Sequence, residues 1–304
     1  MPLSVCRLLL PTLALGLALP ALAPPAHAEQ SHVEPAHAPP ARAVPAAAPT
    51  AGHDTPLPAP EDGALCQGFG PQTPRDIALR AGTNSQIFPL APAPAMMNLC
   101  NIHTHTNAEH RGPGFPVASL DPEAGGFKCE GSDQLSAAEL EDPAFGHGPF
   151  HGVKPGDTIE VHWVYSSCDV QPGKGLGACL SDSCSNPTLR VESQVFLVVN
   201  DPFALDFGAY TFDGHISGGR PQPKALPRDT GTPVVFRGST TGPNYSQAVC
   251  SPLQVTWSVR PRCARLDITS LYNWAARGNV FEEDHSHGVR KLVTAPSLLA
   301  PMIE

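Results

Sequence analysis

Two short runs of this 304-residue chain alternate apolar and polar residues with histidine on the polar side, and they constrain the fold more than any other feature. The first is Asn101-Ile102-His103-Thr104-His105-Thr106, and the second is Ile159-Glu160-Val161-His162-Trp163-Val164-Tyr165. A β-strand sends successive side chains to opposite faces, so residues two apart share a face. His103 and His105 therefore project together from one strand, and His162 projects from another of the same pattern. Three neutral imidazoles are the usual protein complement of a catalytic zinc site, with a fourth position left for water. Asn101 precedes His103 by two residues, as Glu160 precedes His162. On those faces each polar group is placed to orient an imidazole and raise its basicity. One such strand alone reads equally well as a solvent-facing polar edge; its repetition favours a metal.

The N-terminus sets the expected compartment. Arg7 precedes an apolar run from Leu8 to Ala23 that is short, interrupted by Pro11 and Pro20 and followed by Pro24 and Pro25. That is the pattern of a secretory signal rather than of a spanning helix. Ala26-His27-Ala28 supplies a small-x-small cleavage site, so residues 1–28 are expected to be a signal peptide. The mature protein is then exported, to the periplasm or the exterior, with no membrane insertion after cleavage. Residues 29–62 are Pro, Ala and His with scarcely a large apolar side chain, a composition that cannot bury enough surface to offset the entropy of ordering. This segment reads as a disordered linker, and its histidines His32, His37 and His53 as solvated.

Cysteine usage agrees with export. Of nine cysteines Cys6 lies in the signal, which leaves an even set: Cys66, Cys100, Cys129, Cys168, Cys179, Cys184, Cys250 and Cys263. In an oxidising compartment these are expected to form structural disulfides, whose pairing the sequence does not choose. A zinc-thiolate site is the rival, but only Cys179 and Cys184 are close in sequence.

Residues 63–304 are ample for one domain. Strand-like runs at Thr158–Tyr165, Leu189–Asn200, Thr232–Phe236 and Leu253–Val259 are separated by Pro, Gly and Asn turns, while helical periodicity is confined to Ser132–Glu141 and Asp267–Arg277. The expectation is a mainly β domain with a few short surface helices. A net charge of −9 with scattered Lys and Arg gives no electrostatic support to a nucleic-acid partner. No feature sets an oligomeric state.

Several motifs in order resemble a known family. His103-x-His105, Ala108-Glu109-His110, Glu160-Val161-His162 and Gly238-Ser239-Thr240-Thr241-Gly242-Pro243 ahead of Val255-Thr256-Trp257-Ser258-Val259 are similar to the motif order of alpha-type carbonic anhydrases. Closer still, Cys66-x-Gly68-Phe69-Gly70-Pro71-Gln72-Thr73-Pro74-Arg75-Asp76, Cys100-Asn101-Ile102-His103 and Phe281-Glu282-Glu283-Asp284-His285-x-His287-Gly288-Val289-Arg290 resemble the delta class. The resemblance runs from Cys66 to Val293 and implies an alpha-carbonic-anhydrase-like central twisted β-sheet. It implies that His103, His105 and His162 bind Zn²⁺, and that zinc-bound hydroxide attacks CO2 to give bicarbonate and a proton. Lowering of the pKa of zinc-bound water is an effect for which carbonic anhydrases are the reference example. By the same resemblance Glu109 accepts a hydrogen bond from a threonine that orients the hydroxide, and His110 is a structural neighbour. The threonine is Thr240 or Thr241, since Ser239 is followed directly by both where the family spaces them by one residue. Residues 244–252 look like an insertion.

Three features stay open at this level. His147, His151 and His215 are candidate proton carriers, each equally an ordinary loop histidine. His285-x-His287, flanked by Glu282, Glu283 and Asp284, reads either as a second metal site or as a polar terminal segment. His103-x-His105-x3-Glu109 also has the spacing with which cupin barrels hold iron or manganese, with His162 as the last ligand, although a cupin gives no account of Gly238 to Thr241. A non-catalytic zinc-binding exported protein is the remaining alternative. No Gly-x-Ser-x-Gly elbow supports a serine esterase.

Overall fold

Leu189–Val199 is the longest strand because it is β-branched and apolar at most positions, and the sheet buries it on both faces. The structure is a computed structural model describing residues 64–303, so the expected signal peptide (1–28) and linker (29–62) lie outside the described residues. In chain order the strands are β1 (Asn98–Thr106), β2 (Val117–Ala118), β3 (Phe127–Lys128), β4 (Thr158–Ser166), β5 (Leu189–Val199), β6 (Ile216–Ser217), β7 (Arg220–Pro221), β8 (Val234–Ser239), β9 (Gln254–Val259) and β10 (Ala264–Asp267). Two α-helices accompany them, α1 (Ala137–Leu140) and α2 (Ile268–Ala276).

Six strands form one mixed sheet in the order β1-β4-β5-β9-β8, with β10 also on β5. The pairs β1–β4, β4–β5 and β8–β9 are antiparallel, while β9 and β10 both run parallel to β5. These two share one edge of β5, β9 opposite Leu189–Ser193 and β10 opposite Phe196–Val199. Between them lies Arg260-Pro261-Arg262-Cys263, where proline removes a ladder donor and ends the pairing. The remaining pairs, β2–β3 and β6–β7, are isolated two-residue ladders.

The two faces of the sheet bury different sets. Ile102, Ile159, Val161, Trp163, Phe196 and Val198 pack with Phe207, Tyr210, Leu271 and Trp274 on one face. Val164, Val191, Val195, Phe236, Val255 and Trp257 form the other core, together with the disulfide cysteines Cys100, Cys129, Cys168, Cys179 and Cys263. All eight cysteines of the described chain are paired, as Cys66–Cys250, Cys100–Cys179, Cys129–Cys263 and Cys168–Cys184. The disulfide expectation holds, and Cys179 and Cys184 belong to different bridges.

The domain is mainly β, as expected, with differences at the helices. Ser132–Glu141 is not one helix: it divides into a 3-10 turn at Ser132–Gln134 and the single turn of α1, whose start is set by a Ser136–Glu139 capping box. The helix expected from Asp267 is present as α2, with the Asp267 side chain accepting from the Ser270 N–H as N-cap. It is no surface helix, since Ile268, Leu271, Tyr272 and Trp274 are buried in the core. The sequence reading passed over β10, which four residues of an otherwise broken pattern do not announce. Among the described residues no helix is long and apolar enough to cross a membrane.

Candidate metal centre

Register does what sequence spacing alone cannot. Antiparallel pairing of β1 and β4 sets His103 directly opposite His162, and His105 opposite Glu160. Opposed residues share a face, so all three histidines and Glu160 project from the same side. One nitrogen of each of His103, His105 and His162 lies within 4.8 Å of the others, and their ring centroids are 4.6 to 5.1 Å apart.

Each imidazole is turned by a partner on the side away from the cluster. Asn101 Nδ2 donates to the Gly173 carbonyl at 2.9 Å, so its oxygen is the atom facing His103 Nδ1 at 2.6 Å. An amide oxygen only accepts, so Nδ1 of His103 carries the proton and Nε2 keeps its lone pair for the cluster. His105 Nδ1 lies 3.3 Å from Glu109 Oε2, which likewise leaves Nε2 to face inward. His162 is reversed: its Nε2 lies 3.4 Å from Glu160 Oε1, and its Nδ1 lies 3.3 Å from His103 Nε2. Burial first, then the neighbouring imidazoles, holds His103 well below the ordinary histidine value, and burial lowers His162 as well. Both are thus neutral and ready as ligands. For His105 burial is outweighed by Glu109, and its value is raised.

Glu160 anchors the layer beneath. Its Oε1 accepts from His110 Nδ1 at 2.8 Å and from the Ser193 hydroxyl, and its Oε2 accepts from the Glu109 N–H at 2.8 Å. Burial alone would raise this carboxyl, but His110 and His162 together hold it well below the usual range. His110 Nε2 then accepts from the Thr73 hydroxyl at 3.3 Å. Glu109, His110, Glu160 and His162 also lie close enough to count as a ligand group. Glu160 and His110 are already committed to each other, however, and Glu109 stands behind His105 and His162, at 3.3 and 3.7 Å, rather than beside His103. The four-ligand cupin set of His103, His105, Glu109 and His162 is therefore not assembled. Exchange of Glu160 for glutamine is expected to weaken zinc binding roughly 10- to 100-fold while keeping all three ligands. Competition with a chromophoric chelator measures this, and an unchanged affinity would remove Glu160 from the site.

The cluster opens on a small cavity of about 20 Å³. Apart from His103 and His162 its lining is Val164, Leu176, Leu189, Val191, Val255 and Trp257, with Thr240 and Thr241 at the wall. Both threonine candidates are thus at the site, but neither is bonded to Glu109. The Glu109 carboxylate oxygens accept from neither threonine, and the Thr240 hydroxyl meets that of Ser251. The reason is a buried hub at Gln72, whose Oε1 accepts from the Ser251 N–H at 2.9 Å while its Nε2 donates to the Ser251 carbonyl at 3.1 Å. Arg290 reaches the same hub, donating to Gln72 Oε1 at 3.3 Å and to the carbonyls of Thr73 and Ser246.

Ser193, Gln72, Thr73, Ser251 and Arg290 received no role from the sequence reading. For Ser193 a signal existed, the polar triplet Glu192-Ser193-Gln194 inside an apolar strand. Gln72, Thr73 and Arg290 lie in loops inside two of the motifs that resemble the delta class, a signal that marks the segments but gives no role, and Ser251 has none. His215 donates its Nδ1–H to the Pro223 carbonyl at 3.1 Å, away from the histidine cluster's hydrogen bonds.

Residues 94–270, more than half of the chain, match the family model described as Delta carbonic anhydrase. Among solved structures, an alpha-carbonic anhydrase of Photobacterium profundum is 17% identical, covering 73% of this chain and 86% of that one at a TM-score of 0.25. An alpha-carbonic anhydrase of Thermovibrio ammonificans, solved with the inhibitor sulfanilamide, is 13% identical and covers 73% and 87% at a TM-score of 0.25. No curated protein sequence matches the chain.

Proposed function

The chain belongs to the delta carbonic anhydrase family, and from that premise we propose that it hydrates CO2 reversibly at a Zn²⁺ ion held by His103, His105 and His162. One observation carries the assignment: β-sheet register brings two Nε2 atoms and one Nδ1 atom together, each with its other ring nitrogen turned to Asn101, Glu109 or Glu160. Three imidazole nitrogen donors suit zinc, and no thiolate competes, because every described cysteine is in a disulfide. Zinc supplies there a Lewis acid that brings the pKa of water towards neutrality, the effect for which carbonic anhydrases are the reference example.

The residues around it have separate tasks. Asn101 and Glu160 hold two of the ligand imidazoles in one tautomer, so little reorganisation is needed when the ion binds. Val191, Val255 and Trp257 offer CO2, which has no dipole to satisfy, an apolar wall beside His103 and His162. Glu109 is a buried carboxylate with free lone pairs, and the hydroxyl of Thr240 or Thr241 is the donor we assign to it during turnover. Four disulfides suit an oxidising environment, which supports export to the periplasm or exterior.

Stopped-flow CO2 hydration by the full chain tests the proposal, before and after chelator stripping and again with zinc restored. The expected result is activity that vanishes on stripping and returns with zinc. A folded protein that holds one zinc yet leaves CO2 untouched would mean a non-catalytic binding protein instead.

A further inference from the structure

The second His-x-His of the chain lies in the C-terminal extended segment that lines the outer edge of β1. Backbone bridges join His287 to His105 and His285 to His151. Alternation then turns His285 and His287 to one side, and their ring centroids are 4.8 Å apart. Each ring has one nitrogen fixed by a carboxylate. Asp284 Oδ1 holds His285 Nδ1 at 2.7 Å, and Glu283 Oε2 holds His287 Nε2 at 3.0 Å. Glu283 is itself buried and immobilised, its other oxygen accepting from the Thr104 N–H at 2.7 Å and the Thr104 hydroxyl at 3.0 Å. A carboxylate that takes the proton of one ring nitrogen leaves the other as a basic lone pair, the arrangement in which metal-ligating histidines are held. The free nitrogens are His285 Nε2 and His287 Nδ1, on side chains 54% and 44% exposed.

We propose that His285 and His287 form a second binding site for a divalent transition-metal ion at the rim of the catalytic site. Imidazole donors select ions such as Zn²⁺ or Cu²⁺ over Ca²⁺ and Mg²⁺, and water completes the coordination of a two-histidine site. Glu283 and Asp284 supply the negative charge that offsets a second dication close to the first. The His287 ring centroid lies 6.3 Å from that of His103, so an ion here stands close beside the catalytic centre. Its effect on rate, a slowing of CO2 hydration in excess metal, rests on the catalytic reading above; its binding does not.

Calorimetric titration of the metal-stripped full chain with Zn²⁺ tests this. The wild type is expected to show a tight and a weaker event. In His285→Ala the weaker event should lose on the order of 100-fold in affinity, a direct ligand counting at least as much as an outer partner. The tight event and the hydration rate at stoichiometric zinc should stay unchanged. His162→Ala should show the reverse, keeping the weaker event. A single event in the wild type, or a weaker event unaltered by His285→Ala, overturns the proposal and leaves the catalytic reading intact. No tight event overturns that reading instead, and the weaker one, if present, still supports the rim site.

Discussion

Replacing His162 with alanine is expected to leave a folded protein that retains no zinc at stoichiometric supply and hydrates CO2 no faster than buffer. Its Nδ1 is one of three converging donors, and its ring is also the link between the cluster and Glu160. With two imidazoles left, the ion loses a third of its protein donors and the orientation that Glu160 imposes. The consequence for rate follows from acidity. Water at a three-histidine zinc ion ionises near pH 7, roughly nine powers of ten more readily than in bulk, and carbonic anhydrase is the system in which that figure is defined. No nearby side chain replaces such an effect, so the loss should reach the uncatalysed background rather than a partial value. The fold should survive. The removed ring packs edge-on to Trp257 at 4.9 Å, and a cavity of that size with one orphaned partner costs about 2–5 kcal/mol, less than the domain's disulfides contribute. Metal analysis, stopped-flow assay and near-ultraviolet circular dichroism on one preparation decide it. Substantial activity in a folded His162→Ala protein would end the three-histidine assignment.

Reduction of the disulfides is expected to unfold the domain at neutral pH without added denaturant. The four bridges close spans of 184, 79, 134 and 16 residues. Loop-closure entropy gives about 3 kcal/mol for the shortest and about 5 kcal/mol for the longest. A domain's whole stability is about 5–15 kcal/mol, and the nominal joint contribution of the four bridges, about 18 kcal/mol, exceeds it. Loss of a single bridge should be graded. A Cys129→Ala, Cys263→Ala double variant is expected to melt about 10 °C lower, at the 2–4 °C per kcal/mol of a domain this size. Loss of the Cys100–Cys179 bridge should also lower zinc affinity. Cys100 adjoins Asn101, the Cys100 carbonyl accepts from the Gly173 N–H at 3.0 Å, and the Gly173 carbonyl in turn fixes the Asn101 amide that orients His103. Thermal melts with and without reductant measure both effects. A reduced chain that melts within a few degrees of the oxidised one would show that the apolar core alone sustains the fold.

The histidine cluster was legible early because a strand's period of two is rigid. His103 with His105, and each orienting residue two places before its histidine, could be read without knowing any neighbour. The same rule made the mainly β character plain and placed β4, β5 and β9 within a residue or so. It was weaker where pairing partners rather than pattern make the strand. β8 begins two residues later and ends three later than its apolar run, because its ladder with β9 carries on through Gly238 and Ser239. Ser132–Glu141 has helical periodicity, yet it divides before the Ser136 cap, and a single turn of α-helix is what remains.

What one strand says about itself, the sequence determined unaided: two histidine-bearing strands, an even complement of cysteines beyond the expected signal, helical periodicity from Asp267, and residues of ligand chemistry in family order. These depend on neighbours along the chain, whose spacing covalent geometry dictates. What tertiary structure alone decided lies between distant segments. It set His103 opposite His162, paired Cys66 with Cys250 across almost the whole domain, and put the Ser193 hydroxyl and His110 on Glu160. It also turned Thr240 towards Ser251 and laid His287 along β1. Those contacts join residues 11 to 184 positions apart, and no local periodicity encodes them. They exist because burying the two faces of the sheet admits one register, and the polar groups caught between the faces must then find one another.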